Sequence, residues 1–269
     1  MFKKAIKKAL NFVRPLASGY LYYDHKLINS LSTTILLNKD GDLLTTKKVA
    51  SLFAMQDELR DVFKPILTEI QNTSERKKAK ILKKYGIENT TLITVLNILI
   101  DIAENPGKVK IISHKYLDLA IIQIENKENT FKSQTPKFCQ SKEIGESVCI
   151  VGFAFPEYKA FKEQANYELI ATNEIMNFPI FPISAMITRN IYDDQNRITM
   201  FEMSDGIELG MQGAPIVNTK GEIIGLAVGN KNIGPRKLSY GIDSKTIIEF
   251  LKENNIKYEE VKKWKIEAI

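Results

Sequence analysis

Between Ser30 and Val228 the chain repeats one device: a short apolar, β-branched run that breaks on a turn signal. Ser32-Thr33-Thr34-Ile35-Leu36-Leu37 is followed by the turn Asn38-Lys39-Asp40-Gly41, after which Asp42-Leu43-Leu44-Thr45 restarts an extended segment. β-Branched side chains suit a pleated surface, and Asn, Asp and Gly reach the backbone angles that reverse it. Further strands are predicted at Lys108 to Ser113, Leu119 to Ile124, Ser147 to Phe153, Phe181 to Arg189, Ile198 to Met203, Ile216 to Asn218 and Glu222 to Val228. Repeated short strands with turn signals imply antiparallel barrels. A length of 269 residues is enough for one large or two small domains of this kind, and 44% hydrophobic with 26% charged residues describes an ordinary globular chain.

Three regions depart from that rhythm. Phe2, Ile6, Leu10, Val13 and Leu16 recur at helical spacing with lysines opposite, which predicts an amphipathic helix over residues 2 to 16. It can pack on its own domain or lie on an anionic membrane surface. Residues 49 to 105 read as a helical insertion. Within it, Val49 to Gln71 carries Leu52, Leu59, Val62, Phe63, Ile66 and Ile70 near one face, with Pro65 expected to kink or restart the helix. Thr73 or Ser74 caps a second, basic helix bearing Arg76, Lys77, Lys78, Lys80, Lys83 and Lys84, which should stop at Gly86. A third is predicted from Leu92 to Ile100, apolar nearly all round and therefore buried. Near the end of the chain, Ser244 to Leu251 reads as a helix with Ser244 as its N-cap.

The net charge of +6 is spread among interleaved acidic residues, which permits weak contact with anionic lipid or nucleic acid without implying either. Cys139 and Cys149 do not make a disulfide framework; reduced thiols are expected, and one bond between them is compatible with the sequence. Lys3, Lys4, Lys7, Lys8 and Arg14 interrupt every apolar run near the N-terminus, so a cytoplasmic location is expected, or a periplasmic one if a signal segment has been removed. No metal-ligand spacing occurs, and no cofactor is expected.

The densest motif is Gly210-Met211-Gln212-Gly213-Ala214-Pro215-Ile216-Val217-Asn218, followed by Gly221-Glu222-Ile223-Ile224-Gly225. It resembles the Gly-x-Ser-Gly-Gly-Pro loop of trypsin-like serine proteases, with Gln212 where the serine stands. Asn38 to Val49 resembles the strand-turn-strand leading into that family's Thr-x-x-His-Val motif, with Lys48 at the histidine. Asp118-Leu119-Ala120-Ile121-Ile122-Gln123-Ile124 resembles its Asp-Leu-Ala-Val strand and keeps the aspartate. Phe181 to Arg189 and Ser239-Tyr240-Gly241-Ile242-Asp243 resemble second-barrel strands. Over roughly residues 30 to 255 the chain is thus similar to the trypsin-like superfamily, its bacterial high-temperature-requirement branch in particular.

That resemblance implies a mainly β fold: two six-stranded antiparallel barrels with a helical insertion and terminal helices. It divides the chain into a lead-in helix (1–28), a first barrel (29–135) with the insertion at about 49–105, a second barrel (136–243), and a terminal helix and tail (244–269). It further implies a degenerate triad at Lys48, Asp118 and Gln212. An amide offers no activatable nucleophile, and Lys48 beside Asp118 would stay charged, forming an ion pair. Asp118 reads equally well as a plain strand-end carboxylate. His25 and His114 are the remaining histidines, and neither is expected at the place of a general base. The Gly210 and Gln212 amides, beside Gly213, would form a nest of N–H groups, with the strand from Gly225 through Leu226 and Ala227 to Val228 pairing with a peptide; alternatively the glycines serve mainly to keep the tight turn the barrel needs.

Three functions compete. The first is a pseudoprotease that binds a protein or peptide partner, with the insertion as a contact surface. The second is a hydrolase using atypical residues. The third is an adaptor whose lysine-rich helices meet an anionic membrane or, less favoured, nucleic acid. The oligomeric state is left open.

Overall fold

The computed structural model describes residues 1–102, 109–124, 134–154, 159–173 and 178–261. The predicted β-rich architecture forms as two antiparallel sheets. The first takes β1 (Val13–Tyr22), β2 (Leu27–Leu36), β3 (Leu43–Thr45), β4 (Leu92–Leu99), β5 (Val109–Ser113) and β6 (Ala120–Ile124) in the order β4-β1-β2-β3-β6-β5. The second contains β7 (Lys137–Phe138), β8 (Ser147–Phe153), β11 (Ile180–Tyr192), β12 (Ile198–Met203), β13 (Pro215–Val217), β14 (Ile223–Ile233), β15 (Arg236–Asp243) and β16 (Glu259–Glu260). Pairing of β13 with both β8 and β14 closes six of these strands into a ring, on which β7 and β16 are parallel additions. The hairpin of β9 (Phe161–Gln164) and β10 (Glu168–Ala171) stands apart as a two-stranded sheet. This is the double-barrel arrangement, with the second barrel closed and the first an open six-stranded sheet among the described residues.

The turns of the two barrels are built alike. Asn38 Oδ1 accepts from the N–H groups of Asp40 and Asp42, and Asn218 Oδ1 accepts from those of Lys220 and Glu222. Each turn closes on a glycine in the left-handed region, Gly41 at φ 83° and Gly221 at φ 76°.

The helices correct the sequence reading in four places. Helix α1 (Lys3–Ala9) ends early, and Val13 and Leu16 belong to β1; Pro15 biases Arg14 toward extended backbone and cannot continue a helix. Phe2, Ala5 and Ala9 are buried in the main core, so the apolar side of α1 is already covered by the protein itself. The second correction concerns α2 (Lys47–Gln71), which continues through Pro65 without restarting; the residue four back, Asp61, is exposed, so its freed carbonyl can be hydrated. Helix α3 (Glu75–Tyr85) follows the sequence, with Ser74 as N-cap and Gly86 left-handed at φ 64°.

The third and largest correction is Leu92 to Ile100, a strand rather than a helix. As β4 it pairs with β1 from Leu16↔Leu99 to Tyr22↔Leu92. Its all-round apolarity arises because one face joins the core while α2 lies over the other, where Asn97 Nδ2 donates to Leu52 O at 2.8 Å and to Gln56 Oε1 at 3.0 Å. A short apolar run buried on both sides does not reveal its period. Finally, α4 (Ser244–Glu253) is capped by Asp243, which accepts from the Lys245 N–H at 2.7 Å; Ser244 Oγ instead donates to Cys139 O, also at 2.7 Å. The second oxygen of Asp243 meets the buried ammonium of Lys142.

Candidate functional site

Lys48 enters through helix capping. β3 ends at Thr45, and Thr46 becomes the N-cap of α2, its Oγ1 accepting from the Val49 N–H at 3.2 Å. This leaves the N–H of Lys48, in the first turn, in need of an acceptor. Asp118 supplies it: Oδ1 lies 3.1 Å from the Lys48 backbone nitrogen. The expected ion pair is therefore not what joins these residues. Among the described residues no carboxylate makes an ion pair with Lys48, whose side chain is exposed. An exposed lysine gains little from a surface pair, whereas an unpaired helix N–H with a carboxylate at the positive end of the helix is a favourable combination.

His114 shapes the bend that presents Asp118. Its Nδ1 accepts from the N–H groups of Tyr116 at 3.2 Å and Leu117 at 3.1 Å, and its ring sits edge-on to Phe250 at 5.4 Å. Burial lowers its pKa below the ordinary 6.5; Glu253 on α4 opposes that shift and Lys47 on α2 adds to it. His25 is far from this bend in the fold. It caps the β1–β2 hairpin, bonds Glu163 at 2.8 Å and stacks on Tyr167 at 4.7 Å.

The segment from Gly210 to Pro215 is fixed by close packing against both sheets. Gly210 and Gly213 have φ of 97° and 85°. A Cβ on Gly210 would stand 2.4 Å from Phe153 O, and one on Gly213 would stand 2.1 Å from Thr33 O and 2.3 Å from Thr45 Oγ1. Both glycines are thus required by backbone angle and by space. Thr33 ties the loop to β2, its N–H donating to Gln212 O at 3.1 Å and its Oγ1 to Gly210 O at 2.9 Å. The Gly213 N–H donates to Ala227 O, and the Ala227 N–H to Ala214 O, each at 2.9 Å. The N–H groups of Gly210 and Gln212 have no hydrogen-bond acceptor among the described residues.

A half-open cleft of about 760 Å³ runs along this loop, and both Lys48 and Gln212 line it. One wall is Tyr20 and Tyr22 of β1 with Ile28 to Ser32 of β2; the other is Ile207 to Gly210 with Gly229 and Asn230 of β14. Gly225, Leu226 and Ala227 lie deeper, paired to β13 on one edge and β15 on the other. The edge of β14 that can accept an extended chain begins just beyond them, at Val228 to Asn230, where no strand lies on the β13 side among the described residues. Sequence reasoning ended the strand at Val228 and so reached only the first residue of this edge; Gly229 inside a strand pattern, where the register shifts, was the available signal for the rest. Asn230 braces the opposite wall, its side chain accepting from the Ile207 N–H at 2.8 Å and donating to Ile207 O at 2.7 Å. Lys237 pairs with Glu208 at 3.4 Å.

The cysteines are separate thiols, and burial pushes Cys149 up to about 11. Among the described residues no cluster of His, Cys, Asp and Glu could hold a metal ion.

Two antiparallel β-barrels with a glycine-locked loop at the cleft between them define the trypsin-like class of fold. The profile of the trypsin-like peptidase domain matches residues 33–226, a span that includes Lys48, Asp118 and Gln212. The chain belongs to the trypsin-like peptidase domain family. Among solved structures, that of the HtrA-type protease AlgW with a decapeptide superposes with a TM-score of 0.54 at 12% identity, covering 94% of this chain and 67% of that one. At such identity the likeness is one of fold. No curated protein sequence matches the chain.

Proposed function

We propose that this protein binds an extended peptide or protein segment in the inter-barrel cleft and does not hydrolyse it. The observation that carries this reading is the chemistry at the cleft's centre. We read Gln212 as standing at the nucleophile position of a peptidase-like loop and Lys48 at that of the base; both line the cleft, and Lys48, two residues past an N-cap, is bound through its backbone to Asp118. The amide of Gln212 has no acidic proton to give up, and a solvated ammonium has no lone pair with which to take one. Binding, by contrast, needs only what the cleft retains: open strand edges on β2 and β14 and polar groups between apolar walls. The AlgW structure similar in fold was determined with a decapeptide, and a peptide is the ligand we assign to this cleft as well.

The test is a fluorophosphonate probe and a casein digest, each run beside Gln212→Ala. Neither labelling nor proteolysis above buffer is expected. Turnover that disappears on Gln212→Ala or Asp118→Ala would overturn the reading in favour of a hydrolase with an atypical site.

A further inference from the structure

We propose that the cleft, on the reading that it binds peptide, captures the C-terminal carboxylate of its ligand, with Lys48 and the N–H groups of Gly210 and Gln212 as the anion-binding groups. The direction of the chain comes from the β14 ladder. β13 runs antiparallel to β14, with Pro215 opposite Leu226, and the ladder extends through Ala214 and Gly213 opposite Ala227. One residue earlier the protein chain turns away at Gln212, leaving the next positions of that edge, Val228 to Asn230, without a strand partner among the described residues. A peptide added there antiparallel to β14 occupies the line that β13 would have continued. It runs in the same direction as β13, so its carboxyl end abuts Gln212. A parallel addition would bring its amino end to the same place.

Charge decides between the two. The groups lining the cleft with Gln212 include Lys48, which has no ion-pair partner among the described residues, and the backbone N–H donors of Gly210 and Gln212, which have no acceptor among them. The carboxylate of Asp118 is engaged by the Lys48 N–H, and that of Glu208 by Lys237. A site rich in donors, with its neighbouring carboxylates already partnered, repels a terminal ammonium and takes a carboxylate. An internal peptide segment would bring only a neutral carbonyl to the same donors.

The probe is a degenerate decapeptide pool labelled at its N-terminus, prepared once with free carboxyl ends and once as the C-terminal amide, titrated by fluorescence anisotropy into the full chain. The free acid is expected to bind roughly tenfold more tightly than the amide, the size of one charge-assisted contact in a half-open site. Lys48→Met, at an exposed position, should remove most of that preference while leaving the melting temperature unchanged. Equal binding of acid and amide would overturn terminal capture and leave the peptide-binding cleft standing. A preference that survives Lys48→Met would overturn the assignment to this site. No binding of either pool would sink both the capture and the peptide-binding reading.

Discussion

Gly213→Ala, compared with Gly86→Ala, separates the cost of a left-handed backbone from the cost of the barrel junction. Both glycines have positive φ, 85° and 64°. A Cβ on Gly86 meets nothing within 4 Å, whereas one on Gly213 falls 2.1 Å from Thr33 O and 2.3 Å from Thr45 Oγ1. Left-handed backbone costs an L-residue about 1–2 kcal/mol, and the stiffer unfolded chain returns roughly 0.4–1 kcal/mol. Gly86→Ala should therefore destabilise by about 1 kcal/mol. Gly213→Ala carries the same penalty and must also displace a backbone carbonyl. That displacement disturbs the Thr45 Oγ1 bond to Thr33 O at 3.0 Å and the Thr33 N–H bond to Gln212 O at 3.1 Å. Two buried hydrogen bonds at about 1–1.5 kcal/mol each bring the total to roughly 3–4 kcal/mol. Urea denaturation followed by far-UV circular dichroism reads the difference between the variants directly. If Gly213→Ala lies within about 1 kcal/mol of Gly86→Ala, the loop is not locked by the first barrel and the account of its glycines is wrong.

Three further outcomes follow from the same geometry. Asp118→Ala should cost about 1–2 kcal/mol in thermal melts, and Asp118→Asn about half, because the amide oxygen can still accept from the Lys48 N–H while losing the charge at the helix end; an unchanged melting temperature for Asp118→Ala would remove its capping role. His114 has a folded-state pKa below the ordinary 6.5, so the unfolded chain binds the proton more readily, and its stabilisation is present above that pH and lost as the pH falls below it. Wild-type stability should drop as the pH falls below about 6.5, and His114→Asn, whose Oδ1 can replace Nδ1 as acceptor, should shed the histidine part of that slope; an identical slope in the variant would refute this. Finally, the double variant Lys48→His, Gln212→Ser should acquire fluorophosphonate labelling that neither single variant shows, since Asp118 already contacts residue 48. A well-folded double variant without labelling would mean that the three positions do not converge.

Legibility in the sequence followed locality. The turn at Asn38 to Gly41, the stop at Gly86 and the Gly210 to Pro215 loop were readable because their residue types serve backbone angles within a few residues of one another. Leu92 to Leu99 was not, because burial on both faces by β1's sheet and by α2 erases the alternation that marks a strand. Asp243 hid behind Ser244 for a similar reason: both are good caps, and only the demand of Cys139 O for the Ser244 hydroxyl assigns the roles. The free edge of β14 was misplaced by a few residues because pairing partners distant in sequence decide where a strand edge becomes free.

What the sequence determined alone was the kind of side chain at each position: Gln212 in a peptidase-like loop, Lys48 after two threonines, Asp118 before its strand, and the glycines that make those turns possible. Chemistry of that sort is intrinsic to the residue and needs no partner. Tertiary structure decided what each group touches: that Asp118 serves the Lys48 backbone and not its ammonium, that Gly225 to Ala227 lie inside the sheet while Gly229 and Asn230 line the cleft, and that Phe2, Ala5 and Ala9 beside and within α1 are spent on the core. Hydrogen bonds and burial are set by distances of a few ångströms between residues a hundred or more apart in the chain, and those distances exist only once the two sheets have packed at the junction.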